Sequence, residues 1–324
     1  MAKLVLGYAS SHGPMMQTPP EGWQDLEAKD MQDPRYSYAD LLASARPGLE
    51  REVTSEKMRE RWEACQRGIQ RSHDVLAEAK ADAFIVLSNP HGVPPLNRMY
   101  PVFGIYLSDA ESQIDRTGHQ TGGRRGSDRP VDEVQGRTVG PYPTRPDLAD
   151  HLMGSLIDEG FDLGAAYQSS PDAGLEGPFT YHYDVFLKER TVATVPLLIS
   201  RYLPNQATPS RCYALGQSLR RAIESWTANA RVCIIASGGL SHQILDEEPD
   251  REVISALETK DNEVLTSLPR ERLNRAPGTA EILNWVAMAG AMEREPMTLI
   301  DYIPCYRSLA GTGHGVTYAY WRGS

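Results

Sequence analysis

Short apolar, β-branched runs at residues 3–10, 83–89 and 231–239 alternate along the chain with longer stretches in which apolar residues return every three or four positions. The first kind predicts buried strands and the second amphipathic helices. Residues 55–80 form a charged helical stretch. Pro146-Asp147-Leu148-Ala149 opens a helix with Leu148, Leu152, Leu156 and Ile157 on one face and Gly160 at its end, and Pro209-Ser210-Arg211 opens another carrying Leu215, Leu219, Ile223 and Trp226. Further strands are expected at 104–107, 161–167, 193–200, 297–303 and 316–321, the last two separated by a glycine-rich loop at 310–315. Strands alternating with helices over 324 residues predict one α/β domain spanning 1–324. Residues 109–138, rich in Gly, Arg, Asp and Ser, are expected to be a long surface loop.

Each of the three most apolar runs is followed closely by a histidine: His12, His91 and His242. The carboxyl ends of neighbouring strands are where an open α/β sheet builds its ligand crevice. Imidazole is also the commonest transition-metal ligand and general base near neutral pH. A fourth element is Gly278–Trp285, which reads as the first turn of an apolar helix with Pro277 and Gly278 as start signals. Glu281 in that turn is either a capping carboxylate reaching back to Gly278 or, with His12 and His91, the third member of a set. Two histidines and one carboxylate leave open positions on non-haem Fe(II) for substrate and oxygen.

Composition narrows the class. Lys and Arg number 33 against 43 Asp and Glu, a net charge of −10, which disfavours a general nucleic-acid or anionic-membrane surface. Cys65, Cys212, Cys233 and Cys305 show no metal-ligand spacing and read as reduced, buried thiols. The chain opens on a strand pattern without a basic segment and apolar stretch, so no secretory signal or membrane span is expected. A reducing cytoplasm follows as the default and suits ferrous iron. The 310–315 segment lacks the position and lysine of a phosphate-binding loop. Of the other histidines, His73 and His119 read as solvated, His151 as a helix residue, and His314 as facing either the pocket or a subunit contact.

Ser11-His12-Gly13-Pro14-Met15, Asn89-Pro90-His91, Ala236-Ser237-Gly238-Gly239-Leu240-Ser241-His242, Glu281-Ile282-Leu283-Asn284-Trp285 and Asp301-Tyr302-Ile303-Pro304-Cys305-Tyr306-Arg307 occur in the order seen in class III extradiol ring-cleavage dioxygenases. The chain resembles the catalytic subunits of protocatechuate 4,5-dioxygenases and, more closely, the single-chain methylgallate and gallate type. The resemblance implies a three-layer α/β/α domain with a central mixed sheet and long active-site loops, acting as a homodimer or higher homo-oligomer. It implies that His12, His91 and Glu281 hold Fe(II), that His242 is the active-site acid/base, and that the partners are a small aromatic substrate and O2. His182 occupies the position of a second active-site histidine in the methylgallate-like pattern. The chain departs from the family at Pro178 or Phe179, where relatives usually carry a histidine, which implies a different aromatic, for example one with an amino or alkyl substituent in place of an oxygen.

Two other classes compete. His182-Tyr183-Asp184, then His242, then Arg251, imitates the H-x-D…H…R order of 2-oxoglutarate-dependent Fe(II) oxygenases, which would require an all-β jelly roll. A zinc-dependent hydrolase or a binding protein on the same scaffold is the other, because function resides in the site and not in the fold.

Overall fold

Side chains on a strand alternate between the two faces of its sheet, so a strand apolar at every position must be covered on both sides. In the computed structural model, which describes residues 1–89, 100–107, 143–166, 177–187 and 192–323, this is how the central strands lie. The strands are β1 (Lys3–Ser10), β2 (Ala83–Ser88), β3 (Phe103–Tyr106), β4 (Leu163–Ala166), β5 (Ala193–Ile199), β6 (Arg231–Ser237), β7 (His242–Ile244), β8 (Met297–Tyr306) and β9 (Thr312–Arg322). They form one sheet in the order β4-β3-β5-β2-β6-β1-β9-β7, with β8 also paired to β9. The core strands β5, β2, β6 and β1 run parallel, whereas β9 is antiparallel to β1, β7 and β8, and β3 is antiparallel to β5. The sheet is mixed, as expected.

Phe84 and Val86 of β2, with Cys233 and Ile235 of β6, join one apolar cluster, and Ile85, Leu87, Val232 and Ile234 join the other. Helix α1 (Ser55–Ala79) covers the first face with Cys65, Val75, Leu76 and Ala79. Helices α2 (Pro146–Asp158), α3 (Pro209–Ser225), α4 (Glu247–Thr259) and α5 (Ile282–Ala291) cover the second with Leu152, Leu219, Val253 and Leu283. Helices on both faces of a mixed sheet make the three layers and exclude the jelly roll. No helix among the described residues is long and apolar enough to cross a membrane. His91, His119 and the loop expected at 109–138 lie outside the described residues.

The helix boundaries follow local chemistry. Thr54 caps α1 by accepting from the Lys57 amide, and the helix stops at Lys80, which adopts a left-handed conformation (φ 46°). One expectation is corrected: Thr312–Gly315 is not loop but the start of β9, paired with both β8 and β7. The reversal is confined to residues 308–311. Ser308 Oγ accepts from the Ala310 and Thr312 amides, and Gly311, in a left-handed conformation (φ 74°), completes the turn.

Two tethers hold the parts that carry the site. Helices α3 and α5 meet backbone to backbone, because a side chain at Gly216 would fall on the Ala287 carbonyl and one at Gly290 on the Tyr213 carbonyl. The turn leading to β7 is tied to α4 by Asp250. Its Oδ1 accepts from the Ser241 amide (2.8 Å), and its Oδ2 accepts from Ser241 Oγ (2.5 Å) and Tyr302 Oη (2.8 Å). Burial pushes the Asp250 carboxyl up to about 7 against these hydrogen bonds, which lower it.

Gly290→Ala is expected to cost roughly 1–3 kcal/mol in urea unfolding through overpacking. Gly154→Ala, at a helix position where an added Cβ meets nothing within 4 Å, should instead stabilise by about 0.4–1 kcal/mol. Folding raises the Asp250 pKa, so the group's stabilising contribution is full below the ordinary carboxylate range and is lost as pH rises through about 7. The melting temperature of Asp250→Asn should therefore fall less between pH 5 and 8 than that of the wild type.

Candidate active site

The parallel strands β1, β6 and β2 end together, since Ser10 pairs with Ser237 and Leu87 with Ala236. The chain leaves all three on the same edge of the sheet. It reaches His12 two residues past β1 and Asn89 immediately past β2, and it returns after β6 to place His242 at the start of β7. The convergence expected from the strand-end histidines is thus realised for His12 and His242; His91 lies outside the described residues.

Glu281 arrives from the opposite side, as the last residue of the short 3₁₀ turn Thr279–Glu281 that leads into α5. The helix start is pinned to the end of β6, where Asn284 Nδ2 donates to the Ser237 carbonyl (2.8 Å) and Trp285 Nε1 to the Gly238 carbonyl (2.6 Å). Gly238 has φ 122°, and a Cβ there would lie 2.7 Å from Glu281 Oε2, so only glycine serves at that position. The carboxylate is fully buried. His12 Nε2 lies 3.3 Å and His242 Nδ1 4.0 Å from its Oε2, and Arg201 Nη1 lies 3.6 Å from its Oε1.

The tautomer of His12 follows from its other neighbour. Ser237 Oγ donates its one proton to the Pro178 carbonyl (2.6 Å), so toward His12 Nδ1, 3.0 Å away, it can only accept. Nδ1 therefore carries the proton, and Nε2 turns its lone pair toward the Glu281 carboxylate. Two acceptors facing each other need a cation between them or a second proton on the ring. Adjacent ligands about 2.1 Å from a metal and about 90° apart would be roughly 3 Å from each other. The observed 3.3 Å fits that separation, and the Nδ1–H···Oγ contact is the outer support that metal-bound histidines usually have. Among the described residues no group of three or more His, Cys, Asp or Glu side chains is arranged to hold a metal ion.

A cleft of about 850 Å³ opens beside these groups, lined by His12, His242, Gln243, Arg307 and His314 and by the helix Trp23–Asp30. His242 and His314 face each other across the β7–β9 pairing, with ring centroids 4.1 Å apart and planes perpendicular. Burial, then the neighbouring His242 and Arg307, holds the His314 pKa well below the usual histidine range. Arg307 is locked by a two-pronged ion pair to Asp30, with Nε to Oδ2 and Nη2 to Oδ1 both at 2.6 Å.

His182 lies elsewhere. It begins the π-helical turn His182–Leu187, packs edge-on against Phe84 (5.1 Å), and has Nε2 3.4 Å from Thr194 Oγ1. Burial lowers its pKa to about 3, and it does not line the cleft. The same segment reaches the site through Pro178, whose carbonyl orients Ser237, and through Tyr181, whose ring is 5.9 Å from that of His12. His73 and His151 bond the Phe186 and Ala222 carbonyls, away from the cleft. Sequence reasoning did not single out Ser237, although it lies within the Ala236–His242 motif. It also missed Asp30, whose partner is 277 residues away.

A family model described as the catalytic LigB subunit of aromatic ring-opening dioxygenase matches residues 46–316, a span that holds His242 and Glu281 and begins after His12. Gallate dioxygenase of Pseudomonas putida is 30% identical over 165 residues, 48% of each chain. A 2,3-dihydroxyphenylpropionate/2,3-dihydroxicinnamic acid 1,2-dioxygenase of Klebsiella pneumoniae is 30% identical over 105 residues, 32% of each chain. The chain thus spans half or less of the length of these curated relatives. With a family match over most of its length, this chain belongs to the catalytic LigB subunits of aromatic ring-opening dioxygenases.

Proposed function

We propose that this protein is an Fe(II)-dependent extradiol dioxygenase that opens the ring of a catechol-type aromatic and adds both atoms of O2, working as a homo-oligomer in the cytoplasm. The observation that carries the reading is the buried meeting of His12 Nε2 with the Glu281 carboxylate at 3.3 Å, with His242 beside them on the cleft wall. The relatives act, by their names, on gallate and on dihydroxylated phenylpropanoid acids. The substrate class is accordingly an aromatic acid with vicinal hydroxyls, or an aminophenol counterpart.

In this reading His12, Glu281 and His91 hold the iron, which when bound supplies a Lewis-acidic, redox-active centre at which a catechol and dioxygen are brought together. The protein's own groups do the rest. Ser237 keeps the His12 proton on Nδ1 so that Nε2 stays a ligand atom, and Arg201 braces the outer oxygen of Glu281. His242, outside the ligand set and reaching the cleft, takes a phenolic proton from the substrate and returns it as the ring opens. Of these groups, His12 follows the end of β1, His242 opens β7 and Glu281 stands at the start of α5.

Oxygen consumption by anaerobically Fe(II)-loaded protein tests the reading, using gallate, methylgallate, protocatechuate, simple catechols and aminophenols without 2-oxoglutarate. Uptake matched to a new ring-opened chromophore is expected with at least one of them. No uptake from protein of verified iron content would contradict the proposal and favour a non-redox role on this scaffold. Glu281→Ala should lose iron and turnover together, whereas His242→Ala should keep its iron and slow by about 10²–10⁴-fold.

A further inference from the structure

His314 is a second imidazole in the cleft, and its proton can be placed. Arg307 Nη1 lies 3.3 Å from His314 Nδ1, and a guanidinium only donates, so Nδ1 is the acceptor and the ring proton sits on Nε2. The donor cannot drift away, because the Asp30 carboxylate grips the other edge of the same guanidinium. His314 thereby stays neutral, with its single ring proton on Nε2.

That N–H has no hydrogen-bond partner among the described residues, although His314 is only 2% exposed. Buried donors are ordinarily satisfied, and an unpaired one on a side chain that lines the cleft marks a place for a ligand acceptor. The backbone of Gly13 lies beside this edge of the ring. Nε2 and Cδ2 would each lie 2.9 Å from a Cβ at Gly13, so a side chain there would collide with the imidazole, and the residue before Gly13 is His12. The perpendicular ring of His242, 4.1 Å away, lines the same cleft.

The geometry points to His314 as the substrate-orienting donor of this site: its fixed, neutral Nε2–H donates to an oxygen of the bound catechol, while His242 handles the moving proton. Arg307 and Asp30 act through His314 as positioning residues and do not bind the substrate carboxylate themselves. The assignment rests on the ring-cleavage reading. It divides the labour between two facing imidazoles, one free to exchange a proton and one prevented from gaining one by the guanidinium at its back.

The test is binding of 4-nitrocatechol to the anaerobic Fe(II)-loaded full chain, followed by its visible spectrum, beside kcat/KM for the best substrate of the oxygen-uptake panel. His314→Phe keeps a ring of similar shape but removes the donor. It should weaken 4-nitrocatechol binding and lower kcat/KM by about 10- to 100-fold with its melting temperature near that of the wild type. His314→Gln, whose amide presents a donor near the Nε2 position, should recover binding to within several-fold of the wild type. Wild-type affinity in His314→Phe, or His314→Gln binding no better than His314→Phe, overturns the assignment while leaving the ring-cleavage reading intact. A wild type that neither binds 4-nitrocatechol nor consumes oxygen removes both. Should His314→Phe fail to fold, His314→Gln decides alone: affinity within several-fold of the wild type supports the assignment, and a loss of tenfold or more overturns it.

Discussion

The hydrogen bonds that converge on Ser237 hold the site together. Its hydroxyl donates to Pro178 and accepts from His12, and its carbonyl accepts from Ser88 Oγ at the end of β2 and from Asn284 Nδ2 at the start of α5. One residue at the end of the central strand therefore registers β1, β2, α5 and the segment before the π-helical turn against one another. Because a hydroxyl has a single proton, committing it to Pro178 also decides which nitrogen of His12 is protonated. A positional constraint and a protonation constraint are thus met by the same atom. The neighbouring Gly238, with a left-handed φ and no side chain, leaves the room into which Glu281 projects.

Burial gives this arrangement its chemical meaning. A carboxylate with no exposure to solvent needs positive charge close by, and Glu281 is ringed by two imidazoles and a guanidinium. Asp30 and Arg307 answer the same demand in the lining of the cleft. They neutralise each other there and leave one guanidinium nitrogen to act on His314. The cleft is thus polar through a few groups of fixed orientation, which is the character of a small-molecule site and not of a charged docking surface.

Much of this was legible in the sequence, and the legible part was local. Apolar runs followed by His12 and His242 announced strands whose carboxyl ends converge, and Pro277-Gly278 ahead of an apolar stretch announced the helix start that carries Glu281. Tertiary choices were not legible. Thr312-Gly313-His314-Gly315 has the composition of a loop, but it is drawn into β9 by pairing with β7 and β8, and with it His314 becomes part of a cleft wall. Asp30 sits in a short helix that no pattern marks and finds Arg307 across almost the whole chain. His182 matches a motif position, yet packing against Phe84 and Thr194 places it in the core. Pro178, one of the two positions at which the chain departs from the resembled pattern, serves the site through its backbone carbonyl.

The central assignment is a metal seat between His12 and Glu281, tested most directly by anomalous diffraction from crystals grown anaerobically with Fe(II). A single iron peak about 2.1 Å from both His12 Nε2 and a Glu281 carboxylate oxygen is the expected result, with His91 as the third protein ligand. Iron bound at other residues, or no peak between these two side chains at saturating Fe(II), would contradict it.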